Sequence, residues 1–183
     1  MSDEFNKWFP KAIKSLEQSK VKPGKLLLVC ADEPSIKEFM GTWTNDSGVD
    51  HKIIYNNKHT DYCGQINFGV EEIDTDFFSI LEYDDEYSNI WFLQFEEYSP
   101  HYPDVEMFLP LVVDTDQEGQ FLGFTNEALW AMGFSEELGF LDNNTLLKYQ
   151  NFQVSGMIMN KDKFKTIGGM KSSMKLTLIM NFY

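Results

Sequence analysis

No arginine occurs in this chain; all 15 of its basic residues are lysines. That absence removes the one side chain that grips a phosphate or carboxylate with a planar, two-pronged guanidinium. A second absence is local. Residues 61–147 contain no lysine either, against 20 acids, for a net charge of −20. Residues 1–60 hold 8 acids and 9 lysines, and residues 148–183 hold 1 acid and 6 lysines. The overall charge of −14 therefore joins an acidic middle to two mildly basic ends. Such a field repels phosphates, so direct nucleic-acid binding, which needs a basic footprint, is not expected. It draws cations and basic protein surfaces instead. Solubility alone is the competing reading of the same charge.

Cysteine is also scarce. Cys30 and Cys63 are the only two, too few for a disulfide framework, and a bridge between them stays open. Cys30 ends the apolar run that starts at Lys25 and reads as a small buried hydrophobe. No apolar run approaches the ~20 residues that span a bilayer. The first residues, Met1 to Phe5, are acidic and lack the apolar core of a secretory signal. The expectation is a cytoplasmic protein without membrane association. Catalytic signatures are missing as well. No serine sits in a G-x-S-x-G elbow, and Gly168-Gly169 lacks the G-K-[ST] continuation of a phosphate loop.

What the chain does have is apolar material. Hydrophobic residues make up 43% and aromatics 15%, so a core can form without a disulfide or a metal. Residues 1–183 read as a single domain, with the N-terminal helix over 3–20 either integral to it or a semi-independent arm. Ser2-Asp3-Glu4 is a helix start, and Phe5, Trp8, Phe9, Ala12, Ile13 and Leu16 recur at helical spacing. Pro10 either kinks that helix or opens its main part. Lys25–Ala31 reads as a buried strand. Asp32-Glu33-Pro34 starts a short helix with Ile36, Phe39, Met40 and Trp43 on one side.

Beyond the turn at Asn45–Gly48 the pattern is strand-like. The segments are Val49–Tyr55, Tyr62–Phe68, Phe77–Tyr83, Asn89–Phe95, Val105–Val113 and Phe121–Phe124. Their short spacing predicts an antiparallel meander more than βαβ units. Helical turns are expected after Thr125, from Ser135 and over Thr145–Tyr149. Strands are expected at Phe152–Met159, Lys163–Ile167 and Lys175–Phe182, with a hairpin turn at Asn160–Lys163. The predicted class is α+β: a mixed, mainly antiparallel sheet with an N-terminal helix and two to four short additional helices.

Three groups of residues bear on chemistry. Asp114-Thr115-Asp116-Gln117-Glu118-Gly119 copies the first half of a calcium loop, which makes Asp114, Asp116 and Glu118 partial candidates for a metal. The twelfth position is Thr125, where a calcium loop needs Glu, and a polar turn between two strands explains the segment equally. His51, His59, Asp61 and Cys63 lie close in sequence, but in no recognised zinc or nucleophile spacing. The third group is acidic and aromatic: Glu72, Asp74 and Asp76; Asp84, Asp85 and Glu86; then Glu96, Glu97, Tyr98, Tyr102 and Asp104. Tyrosines and acids on proline-shaped loops suit a lysine- or arginine-rich partner.

The leading expectation is a non-catalytic acidic binding protein that engages a basic protein partner, as an inhibitor or an immunity-type protein that neutralises a toxin. A small-molecule or calcium-binding module is the first alternative. A hydrolase using carboxylates, or Cys63 with a histidine, is the second. Calcium is the one cofactor considered.

Overall fold

The computed structural model describes residues 2–58, 60–126 and 153–171. Helix α1 (Asp3–Gln18) begins where Ser2 turns its hydroxyl to accept the Phe5 amide at 3.2 Å. Asp3 and Glu4 face the positive end of the helix dipole. Pro10 lies inside the helix, which continues past it to Gln18. The buried stripe Phe9, Ala12, Ile13 and Leu16 follows the predicted spacing.

Strand β1 (Leu26–Ala31), helix α2 (Pro34–Thr42) and strand β2 (His51–Asn56) come next. β1 and β2 pair in parallel, Leu26 opposite His51 through Ala31 opposite Asn56. This is a βαβ unit, and it supplies the parallel part of the mixed, mainly antiparallel arrangement expected from the sequence. Parallel strands need a crossover, and α2 provides it. Phe9 and Ile13 of α1, Cys30 of β1 and Met40 of α2 close one hydrophobic cluster over this unit.

Three segments predicted as strands are helical. Tyr62–Phe68 belongs to helix α3 (Tyr62–Glu71), capped by Asp61, whose carboxylate accepts the Gly64 amide at 3.0 Å. Burial of Cys63, Gly64, Gly69 and Val70 decides the outcome over local propensity. Asn89–Phe95 becomes helix α4 (Trp91–Tyr98), with Phe92 and Phe95 one turn apart and turned inward. Trp91 and Phe95 are half-buried on this helix and Leu93 is exposed. Lys163–Ile167 belongs to helix α5 (Lys161–Thr166). The Asn160–Lys163 hairpin turn is instead that helix's start: the Asn160 side chain accepts the Lys163 amide at 3.0 Å. Asn serves turns and helix caps by the same hydrogen bond, which is why the sequence reads both ways.

The remaining strands are short: β3 (Phe77–Ser79), β4 (Met107–Phe108), β5 (Val112–Thr115), β6 (Phe121–Thr125) and β7 (Ile158–Asn160). Among the described residues they form two antiparallel sheets, β3-β7-β4 and β5-β6, beside the parallel β1-β2 pair. The class is α+β, with an N-terminal helix and largely antiparallel strands; the single sheet expected from the sequence is divided into three. The helical turns predicted after Thr125, near 135–137 and over 145–149, and the strand over 175–182, lie outside the described residues.

Cys63, Val70, Phe78, Met157, Met159 and Phe164 build a second cluster between α3, β3, β7 and α5. Leu16, Phe92 and Ile158 form a third, between α1, α4 and β7. Buried polar groups fasten these pieces. The Ser15 hydroxyl donates to the Ala12 carbonyl at 2.7 Å and accepts the Tyr87 amide at 3.1 Å, tying α1 to the segment before α4. The Gly156 carbonyl accepts both Trp91 Nε1 at 2.8 Å and the Ser79 hydroxyl at 3.3 Å. The Tyr87 hydroxyl in turn donates to Ser79 at 2.7 Å. Cys30 and Cys63 are both free and buried, in different clusters.

Candidate functional site

The acidic stretch divides by what its side chains meet. Lysines from the basic flanks reach part of it: Lys52 stands 2.8 Å from Glu72, Lys25 3.7 Å from Asp74, Lys165 3.1 Å from Glu71 and Lys163 3.2 Å from Glu106. Glu72 and Asp74, two of the residues predicted to meet a partner, are thus partly neutralised within the chain. Asp85 accepts the Ser155 hydroxyl, joining its loop to the segment before β7. Asp76 is exposed next to β3, and its carbonyl accepts the Lys161 amide at 2.8 Å.

The others stand apart. Asp84, Glu86, Glu96, Glu97 and Asp104 are exposed, and among the described residues no lysine lies within ion-pair distance of them. Tyr98 is 49% exposed at the end of α4, and Tyr102 is half-buried. Tyr83, which the sequence did not single out, is 41% exposed and rests against the Phe5 ring at 5.4 Å between centroids. The nearby charges of Asp84, then partial burial, then Glu4 and Glu82, raise its phenol pKa. Glu4 of α1 and the 82–86 loop therefore share one negative region.

A cavity of about 890 Å³ lies inside this region, between α1, β1, α3, β3 and the segment 80–87. Its walls are mostly apolar, with Phe9, Ile13, Leu28, Ile66, Phe78 and Leu81 among them. One end is polar. There the Tyr62 hydroxyl donates to Glu82 Oε1 at 2.9 Å. Burial, then the Glu82 charge, pushes the Tyr62 phenol above its ordinary range. Burial also raises the Glu82 carboxyl; the Tyr62 hydrogen bond opposes that shift, and Asp85 and Asp84 add to it. Gln65, one helical turn beyond Tyr62 on α3, has a buried Oε1 with no hydrogen-bond partner. The exposed Thr60 and Tyr83 are also part of the lining, so the cavity reaches the surface. No single stretch of sequence marks such a space, because segments from α1 to β7 line it. The one local signal is Glu82, an acid at the end of an apolar strand pattern.

The other predicted groups separate. Asp114 accepts the Thr125 hydroxyl at 2.8 Å across the β5–β6 hairpin. Asp116 accepts the amides of Glu118 at 3.0 Å and Gln120 at 2.8 Å, closing the turn. Gly119 supplies the left-handed residue there, with φ of 81°. The Glu118 side chain is exposed. Among the described residues no group of three or more His, Cys, Asp and Glu side chains is placed to hold a metal.

β2 pairs with β1, and residues 62–65 belong to α3, so no hairpin between β2 and that segment gathers His51 and Cys63. His51 is exposed, 3.2 Å from Asn45 Nδ2 and edge-on to Trp43. His59 lies outside the described residues. Burial, then Asp61, raises the Cys63 thiol pKa, the opposite of what a nucleophile needs.

No protein-family model and no curated protein matches the chain. Among the described residues no helix is long and apolar enough to cross a membrane.

Proposed function

We propose that this chain is a non-catalytic binding protein that engages a basic protein surface through the acids its own lysines leave unpaired. The observation that carries this reading is the sorting of charge. Lysines from both flanks meet Glu71, Glu72, Asp74 and Glu106, whereas Asp84, Glu86, Glu96, Glu97 and Asp104 face solvent without one among the described residues. Exposed Tyr83 and Tyr98 are sequence neighbours of those acids. Unpaired carboxylates speed the encounter with a cationic partner, and tyrosine rings stack on its lysines or arginines. A partner that itself binds phosphates presents the matching surface, which fits an inhibitor or toxin-neutralising role.

The test compares two baits in the same source-organism lysate at low salt: the native chain and a variant combining Asp84→Asn, Glu86→Gln, Glu96→Gln and Glu97→Gln. One basic protein recovered stoichiometrically by the native chain, released by salt and lost with the variant, is the expected result. Equal recovery by both baits, or a complex indifferent to salt, refutes the proposal.

A further inference from the structure

The cavity beside α3 opens within the acidic region and has a polar end and an apolar body. Protein interiors are packed to the density of organic crystals, and apolar voids cost stability roughly in proportion to their volume. A space of about 890 Å³ lies within the size range of small-molecule sites and far above that of ordinary packing defects.

The polar end carries the Glu82 carboxyl and the unsatisfied Gln65 Oε1. The Tyr62 hydroxyl hydrogen is spent on Glu82 Oε1. Gln65 Oε1 is buried without a partner, and a buried acceptor left so is destabilising. Asp84 and Asp85 add negative charge behind Glu82. The lysines on the lining are engaged elsewhere: Lys22 Nζ donates to the Ser47 carbonyl at 2.6 Å, and Lys25 pairs with Asp74.

We infer that the cavity binds a small amphiphilic amine, its ammonium directed at Glu82 and Gln65 Oε1 and its apolar body along Phe9, Ile13, Leu28 and Ile66. An ammonium carries up to three donors and no acceptor, which complements this end. A carboxylate or phosphate head would meet the like charge of Glu82, Asp84 and Asp85.

The experiment titrates phenylbutylamine, phenylbutanol and phenylbutyrate into the full chain by calorimetry, with butylamine as the control for surface charge. Phenylbutylamine is expected to bind one to one. Phenylbutyrate should bind at least about tenfold more weakly, because a hydrogen bond to a charged group is worth roughly a factor of ten. Glu82→Gln should erase most of that preference. Ala12→Leu, which fills the cavity from α1, should weaken the amine and the alcohol alike. Ile66→Phe takes its place if the thermal melt shows that Ala12→Leu does not fold. Equal affinities for the three heads, no binding by any probe, butylamine binding as well as phenylbutylamine, or amine binding untouched by both variants would each overturn the inference.

Discussion

One side of α3 is filled and the other is open. Toward β7 and α5, Cys63 and Val70 meet Met157, Met159 and Phe164, and Met157 has no exposed surface at all. Toward β1 and α1, Tyr62, Gln65, Ile66 and Val70 border the cavity; Tyr62, Ile66 and Val70 also belong to or pack against that cluster, whereas Gln65 Oε1 goes unsatisfied. The same helix thus serves two purposes. Its filled side holds the fold together, because close packing supplies dispersion contacts as well as burial. Its open side keeps room and unmet hydrogen bonding, which stability alone does not explain.

The sharpest way to break this contrast is a matched pair of truncations. Met157→Ala should lower unfolding free energy by about 2–5 kcal/mol, the usual cost of emptying a tight core site. Leu28→Ala, on the cavity wall, should cost under about 2 kcal/mol, since fewer neighbours lose contact. Urea denaturation of both variants decides it, and equal losses would mean that the two sides are packed alike.

A smaller effect is expected where the open side is pinched. A methyl group added at Gly69 would lie 2.8 Å from Val29 Cγ2, on a stiff branched side chain of β1. Gly69→Ala should therefore cost about 1–3 kcal/mol through overpacking, in spite of the better helix propensity of alanine. A variant as stable as the native chain would show that α3 moves freely off β1.

The smallest effect depends on pH. Burial raises the Glu82 carboxyl above its ordinary value of 4.5 in the folded chain. The folded state then holds this proton more firmly than the unfolded state. That contribution is fully present below pH 4.5 and is lost as pH rises through the raised value. The groups facing it are Tyr62, Asp84 and Asp85. Glu82→Gln should therefore match the native Tm near pH 4 and exceed it by pH 8, because glutamine still accepts from Tyr62. A difference that stays constant with pH would place Glu82 in water.

The sequence made some of this readable and concealed the rest. α1 could be read because its cap, its acidic first turn and its apolar stripe agree. β1, α2, β2 and β6 could be read because each lies between clear turn signals. α3, α4 and α5 could not. They are 10, 8 and 6 residues long, and two or three turns leave periodicity too little length to outweigh Ile, Phe, Tyr and Trp. The acidic middle was legible as composition, but its division into paired and unpaired acids depends on lysines from both ends of the chain. The cavity was illegible for the same reason. Nothing local marks Ser15, and only the fold brings the Tyr87 amide to its hydroxyl.

The two thiols carry a practical consequence. Cys30 belongs to the cluster over the βαβ unit and Cys63 to the filled side of α3. Burial holds the Cys30 thiol up at about 11 and raises that of Cys63, so neither is much ionised while covered. Alkylation of each thiol then waits for its own neighbourhood to open, and the two rates time local fluctuations on either side of the molecule without any introduced label. If the half around the cavity breathes more often, Cys30 will be tagged first.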